Sequence, residues 1–267
     1  MFSSISDVPK YRDMCRQAAE DPETFARFRE DPIYSWVVSC QVPHDAHDCY
    51  EILAARNFDF EFFDRIRDLD AIGGVTRKNY PHAGAVAPQT MRYVKTMNDL
   101  ERLFGSLDGK SVIEIGVGFG GQCAVLSRRF KLQRYTLVDL AEPLMVARRY
   151  LETLGIPNVV YRELAALPYD ARYDLAISAY GLSEVARQFQ VDYLQRVLRP
   201  SRAGYLLWNS AQMQSVEQWQ RDAFGGLMMY ADEMLSLLPE ARFLDPQAWL
   251  AIGEREYGTQ AMVWGTR

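Results

Sequence analysis

Glycines at positions 116, 118, 120 and 121 break an apolar run that begins at Ser111. Two carboxylates bracket them: Glu114, two residues ahead of the first glycine, and Asp139, at the end of the next apolar run. Each feature has a chemical use. Glycine carries no Cβ, so its backbone can come close to a ligand. A helix that starts at such a turn points unpaired N–H groups at that ligand. An acid closing the following strand accepts hydrogen bonds from two ribose hydroxyls. The chemistry indicated is binding of an adenosine-containing cofactor.

Two cofactors compete for that reading. Gly116, Gly118 and Gly121 satisfy G-x-G-x-x-G with Asp139 about 20 residues on, which formally meets the dinucleotide fingerprint. Glu114 points elsewhere, because it extends the pattern to E-x-G-x-G-x-G. A carboxylate there suits a cofactor with a cationic amino acid portion and would repel a pyrophosphate. The glycine strand also follows about 110 residues of chain with no second nucleotide-binding half behind it. S-adenosylmethionine is favoured over NAD.

The elements that must position these residues alternate from Ser111 onward. Strands are expected at 111–115, 134–138, 159–162, 173–178, 203–209, 242–244 and 260–264, with helices at 121–130, 142–154, 184–198 and 215–238. Such alternation predicts a mostly parallel sheet with helices on both faces and a ligand at the carboxyl ends of its strands. The last two strands lack a helix of useful length between them and predict a closing hairpin with an antiparallel edge. Helical spacing is read in 9–19, 22–30, 34–38, 46–56 and 58–69, an N-terminal cap that serves as packing, as a lid, or as both. Residues 77–89 read as irregular because of Pro81, Gly84 and Pro88. A helix over 89–104 leads into the glycine strand. The expected division is a cap and substrate loop over 1–88 and a cofactor-binding domain over 89–267.

Composition narrows the class. A net charge of −5 with no basic stripe argues against a nucleic-acid partner. No apolar run reaches the ~20 residues that span a membrane. The first residues, MFSSISDVPKYRD, hold no apolar core of a secretion signal. Cys15, Cys40, Cys49 and Cys123 form no C-x-x-C pair, so neither a zinc site nor a disulfide framework is indicated. A reduced, cytoplasmic enzyme is the expectation.

E-x-G-x-G-x-G, the acid of VDL and seven strands ending in a hairpin resemble a class I S-adenosylmethionine-dependent methyltransferase. Its fold is a Rossmann-like seven-stranded sheet with helices on both faces, here with the helical cap added. More narrowly, VAPQTMRYVKTMNDLERLFG, EIGVGFGGQC, YTLVDLAEPLMVARRYL, SAYGLSEV and YLLWNS resemble sugar O-methyltransferases of bacterial polysaccharide gene clusters. The chain departs from that family at Ala179 and Gln260, where asparagine is usual. The resemblance implies roles by position. Glu114, Gly116, Gly118 and Gly120 would frame the methionine end of the cofactor, and Asp139 would hold the ribose. Leu140, Leu164 and Ala165 would flank the adenine. Gln122 and Arg92 would meet the cofactor carboxylate, Arg92 through its planar fork. Ser178 to Tyr180 end the strand where substrate meets the methyl group.

A sugar hydroxyl is a poor nucleophile, so a base near it is useful. His44, His47, His82, Asp174, Glu184 and Asp245 are the choices, with His82 first, since histidine titrates near working pH, and Glu184 second. Glu184 has an alternative reading as a helix cap behind Ser183. Tyr80, Tyr180, Trp208, Asn209 and Trp219 are possible sugar contacts, and Arg77 with Lys78 suits a nucleotide diphosphate. His44 and His47, at H-x-x-H spacing, could hold a metal with Asp45 or Asp48, but a short loop of this kind is more often plain surface and the strands supply no acidic cluster, so metal independence is expected. The acceptor is then a hydroxyl of a free sugar, a nucleotide-linked sugar or a glycan. Methylation of nitrogen or carbon, a non-catalytic cofactor-binding partner and, more distantly, an NAD-dependent reductase stay open. The aromatic-rich cap also suits a homodimer surface.

Overall fold

The computed structural model describes residues 7–38, 43–209, 228–256 and 258–266, with the side chains of 43–45 outside that set. Cys40, the side chains of His44 and Asp45, Trp219 and most of the helix expected over 215–238 therefore lie outside the described residues.

The N-terminal helices are α1 (Pro9–Glu20), α2 (Pro22–Arg27), α3 (Pro32–Val38) and α4 (Pro43–Ala55), followed by a 3-10 segment, Phe60–Ala71. Proline opens each of the four because its missing N–H is an orphan at a helix start anyway. Residues 77–87 are not irregular. Lys78–Tyr80 (β1) and Gly84–Val86 (β2) pair as an antiparallel hairpin. The breakers lie in its turn: Pro81 opens it, His82 sits at φ 61, and Gly84 closes it at φ 71.

The helix α5 (Pro88–Phe104) is capped from a distance. Buried Asp70 accepts from the Ala87 N–H at 2.7 Å and from the Thr90 hydroxyl at 2.6 Å. Gly105, in a positive-φ conformation, ends it.

From there the chain runs β3 (Ser111–Ile115), α6 (Gly121–Arg129), β4 (Arg134–Val138), α7 (Ala141–Thr153), β5 (Val159–Arg162), β6 (Leu175–Ala179), α8 (Arg187–Tyr193) and β7 (Gly204–Trp208). The C-terminal part adds α9 (Ala231–Ser236), β8 (Arg242–Phe243), two short helical turns at Pro246–Trp249 and Ile252–Glu256, and β9 (Gln260–Trp264). The sheet order is β5-β4-β3-β6-β7-β9-β8. β9 runs antiparallel to both of its neighbours, β7 and β8, and the other pairings are parallel. The last two strands thus form the expected antiparallel pair at the sheet edge, with β9 inserted between β7 and β8 and β8 outermost. The expected helix over 184–198 also divides. A 3-10 turn spans Gly181–Glu184, Val185 and Ala186 are extended, and α8 passes into a π-helical turn, Leu194–Leu198.

β3 and β7 are buried at every residue, which is why they read as unbroken apolar runs. One face of the sheet shares a single core with α5, α6, α7 and the N-terminal helices; the other packs on α8 and α9. α1 is fastened to α7 by charge as well. Glu142 takes the Arg12 guanidinium at 2.9 and 3.1 Å and Arg16 at 3.1 Å. Arg149 donates to the carbonyls of Ala18 and Ala19 at the end of α1. Among the described residues, no helix is long and apolar enough to cross a membrane.

Candidate active site

β3, which enters the sheet first, lies between β4 and β6, so successive connections leave it in opposite directions. A crevice opens at that switch point. The crevice is a cavity of about 230 Å³ at the carboxyl ends of β3 to β6. Gly116, Asp139, Leu140, Leu164, Ala165 and Glu184 line it, as six of the expected site residues.

Asp139 accepts from the Val117 N–H and the Leu140 N–H, both at 2.8 Å. One oxygen thus ties the glycine turn to β4, and each keeps further acceptor capacity for a bound hydroxyl. Burial pushes its carboxyl up to about 6, opposed by the N–H groups of Leu140, Val117 and Gly118. Glu184 accepts from the Asn209 amide at 2.9 Å, and burial raises its pKa while that bond lowers it. Asn209 also takes the Ser183 hydroxyl. The ends of β6 and β7 are therefore stitched together behind Glu184.

The glycines also allow close packing within the protein. At Gly116 (φ 74) a Cβ would meet the Gly181 Cα at 2.6 Å, and at Gly181 a Cβ would meet the Gly116 Cα at 2.7 Å. Two backbones touch there and form one wall of the cavity. A Cβ on Gly118 would strike Val38 at 2.8 Å, so the end of α3 lies directly on the glycine turn. Gly120 holds the left-handed conformation that starts α6, at φ 85.

Other expected residues lie off the cavity. Glu114 points to the opposite face, where the Tyr135 hydroxyl donates to it at 2.7 Å. Ser178 is consumed in structure: its hydroxyl donates to the Ile115 carbonyl and accepts from the Leu182 N–H, both at 3.0 Å. Gln122 is buried, its amide nitrogen donating to the Tyr93 carbonyl at 3.2 Å and its oxygen without a partner among the described residues. Arg92 lies 5.8 Å from the centre of the Tyr180 ring. Arg77 is exposed and donates to the Asp70 carbonyl at 2.6 Å. Tyr80 is buried, its ring 5.6 Å from that of Tyr50. Trp208 is fully buried in β7.

Among the expected bases whose side chains are described, only Glu184 lines this cavity. His82 is exposed in the hairpin turn beside Phe60. His47 is exposed next to Glu51. Asp174 accepts from Ser111 at the amino end of β3, the wrong end of the sheet. Asp245 caps the turn that follows it. Among the described residues, no group of three His, Cys, Asp or Glu side chains could hold a metal ion.

Sequence reading missed Gly181, Phe189 and Tyr193, all of which line the cavity. Gly181 stood in SAYGLSEV without a stated role. Phe189 and Tyr193 are four apart on α8, a spacing that puts two aromatic rings on one face.

The buried Glu114 has a consequence for pH dependence. Burial pushes its carboxyl up to about 8, against the lowering effect of the Tyr135 bond and with Asp139 adding to the rise. A carboxyl with a raised folded-state pKa contributes its stability below the unfolded value of about 4.3 and loses it as pH climbs through the folded value. Glu114→Gln removes that loss. In urea titrations, wild type is expected to lose stability from pH 5 to 8.5 relative to the variant. Parallel pH profiles for the two proteins contradict the buried-carboxyl reading.

The strand order, the reversed β9 and the crevice beside β3 together decide the architecture. This is the class I methyltransferase fold. No family model matches the chain. A stretch of 120 residues is 31% identical to a fatty-acid O-methyltransferase of Mycolicibacterium smegmatis strain ATCC 700084 / mc(2)155, covering 43% of this chain. The chain spans 42% of that protein's length, so less than half of it is matched. Among solved structures, a geranyl diphosphate C-methyltransferase from Streptomyces coelicolor A3(2) is similar at 15% identity and a TM-score of 0.46, over 67% of this chain and 79% of that one. The pyocyanin biosynthetic protein PhzM is similar at 15% identity and a TM-score of 0.45, over 67% of this chain and 56% of that one.

Proposed function

We propose that this protein is an S-adenosylmethionine-dependent methyltransferase acting on oxygen, with a sugar hydroxyl as the acceptor. The observation that carries the cofactor is Asp139: a carboxylate with spare acceptor capacity, at the end of β4, facing a cavity floored by Gly116. Leu140, Leu164 and Ala165 supply apolar lining suited to a purine, and Phe189 and Tyr193 add aromatic lining to the same cavity. The buried, unpartnered oxygen of Gln122 fits a cationic amino group near the start of α6, and Arg92 is the expected partner of the cofactor carboxylate. S-adenosylmethionine supplies a methyl group on a positive sulfur. The protein's share is to align the two reactants and keep water out. Glu184 faces the same cavity as Asp139, which suits it to bonding the cofactor rather than to taking a proton from the acceptor.

A fatty-acid carboxylate is the second reading. The local match to the mycobacterial enzyme favours it.

The test is calorimetric titration with S-adenosylhomocysteine and, separately, with NADH. Two hydrogen bonds to a charged acceptor are worth about 1.5–3 kcal/mol each, so Asp139→Ala is expected to weaken S-adenosylhomocysteine by about a hundredfold or more. Binding of NADH alone overturns the proposal.

A further inference from the structure

Across the Gly116–Gly181 wall from the cavity stands Tyr180, whose surroundings were not legible in the sequence. Its backbone holds a positive φ (φ 74, ψ −38), a sparsely populated conformation that costs a non-glycine residue about 1–3 kcal/mol and persists where the fold over-determines it. Here it is held by the Tyr180 N–H on the Leu207 carbonyl at 3.0 Å, and by the Ser183 N–H and hydroxyl on the Tyr180 carbonyl at 2.8 and 2.7 Å. The result turns the side chain away from α8 and toward α5.

The phenol hydroxyl donates to Glu254 at 2.6 Å, a short charge-assisted bond. Glu254 is itself fixed. Its other oxygen accepts from the Ala251 N–H at 2.8 Å and lies 3.7 Å from the Lys95 ammonium. Lys95 pairs with Asp99 at 2.9 Å, and Asp99 takes the Tyr205 hydroxyl at 2.8 Å and Arg56 at 2.5 Å. Burial tends to raise the Glu254 carboxyl, but Lys95, the Tyr180 and Ala251 bonds and Arg92 outweigh it and hold it below its ordinary value, so it is ionised at neutral pH. An ionised carboxylate only accepts, so the single proton of Tyr180 is committed to it. What the phenol oxygen has left is lone pairs. Tyr180 keeps part of its surface exposed, as do Arg92 and Tyr93 beside it.

We propose that Tyr180, with its proton locked on Glu254, meets the substrate as a hydrogen-bond acceptor only, and so selects a hydroxyl over an ionised carboxylate. This rests on the methyltransferase reading and narrows its acceptor. An alcohol oxygen brings the hydrogen that the phenol needs; a carboxylate brings lone pairs against lone pairs. Glu254 is a positioning residue that acts through Tyr180.

The design makes one variant informative beyond loss of function. In Glu254→Gln, the Ala251 N–H and Lys95 both call for an acceptor and orient the amide oxygen toward themselves. The amide nitrogen then faces Tyr180, donates to it and turns the phenol proton outward. Tyr180 becomes a donor, and the selectivity should move toward carboxylates. Tyr180→Phe removes the contact without changing the ring.

Wild type and both variants are incubated with methyl-labelled S-adenosylmethionine and an ethanol extract of bacterial cells, which offers hydroxyl and carboxylate small molecules together. Mild alkali releases label from methyl esters as methanol and leaves methyl ethers intact. The expected result is alkali-stable label with wild type, a fall of about tenfold or more in Tyr180→Phe, and a larger alkali-labile fraction in Glu254→Gln. S-adenosylhomocysteine affinity should fall less than transfer does in Tyr180→Phe, which keeps the ring beside Arg92 and lies off the Asp139 cavity. Alkali-labile label as the main wild-type product overturns the inference and leaves the methyltransferase reading standing. Undiminished ether formation in Tyr180→Phe does the same. No transfer by wild type that binds S-adenosylhomocysteine overturns the methyltransferase reading, and this inference with it.

Discussion

Lys95→Met is expected to destabilise the protein by about 3–5 kcal/mol, the usual cost of removing one member of a buried ion pair. Lys95 is 1% exposed, and its ammonium serves Asp99, the Trp249 carbonyl and, at longer range, Glu254. Methionine fills a similar volume, so packing is largely kept and the charge term is isolated. Asp99 retains Arg56 and the Tyr205 hydroxyl. The main casualty is therefore Glu254, and with it the anchoring of Ile252–Glu256 on α5. Burial lowers the Lys95 pKa, but Asp99 and Glu254 more than reverse this, so the folded-state value is raised. Its contribution is then fully present below the unfolded value of about 10.4 and is lost only as pH rises through the higher folded value. The effect should hold across neutral pH. Equilibrium urea unfolding at pH 7 measures it, and a change under about 1 kcal/mol would show that the network carries no net stability.

The second large effect is expected at the cavity wall. Gly116→Ala places a methyl 2.6 Å from the Gly181 Cα, at a backbone φ of 74. The obstruction is backbone, so no rotamer change relieves it. The left-handed conformation costs a residue with a Cβ about 1–2 kcal/mol, and forced overpacking adds about 1–3 kcal/mol. The wall between cavity and Tyr180 must part, and S-adenosylhomocysteine affinity should fall by about tenfold or more. Gly109→Ala is the matched control, because Gly109 has φ 71 with nothing within 4 Å of an added Cβ. It should show only the conformational cost and unchanged binding. Equal losses in the two variants would sink the argument that close approach, rather than backbone conformation, is what Gly116 provides.

Much of this protein was legible one residue at a time. The spans 111–115, 134–138, 159–162 and 260–264 match β3, β4, β5 and β9, because a strand buried in a sheet is a short apolar run between turn residues. The glycine turn and Asp139 were legible for a related reason. They belong to one local strand-turn-helix-strand unit, in which spacing along the chain sets spacing in space. Breakers were harder to read. Pro81 and Gly84 signalled a turn, yet whether strands pair on either side depends on the facing residues.

Tertiary structure alone decided the rest. His82 had the right chemistry, but the hairpin carries it to the surface beside Phe60. Glu114 had the right spacing, but strand alternation put it on the face of Tyr135, away from the cavity. Gly116 and Gly181 require each other although they sit on different strands' ends, and neither predicts the other from its own neighbourhood. The Tyr180–Glu254–Lys95–Asp99 chain joins β6, the C-terminal turns and α5. Those residues are distant in sequence, and a charged residue gives no local sign of whether it will be solvated or buried with a partner. Sequence by itself determined most of the sheet strands and the glycine turn with Asp139, because these are local patterns; packing of the elements decided which polar side chains share the cavity beside them.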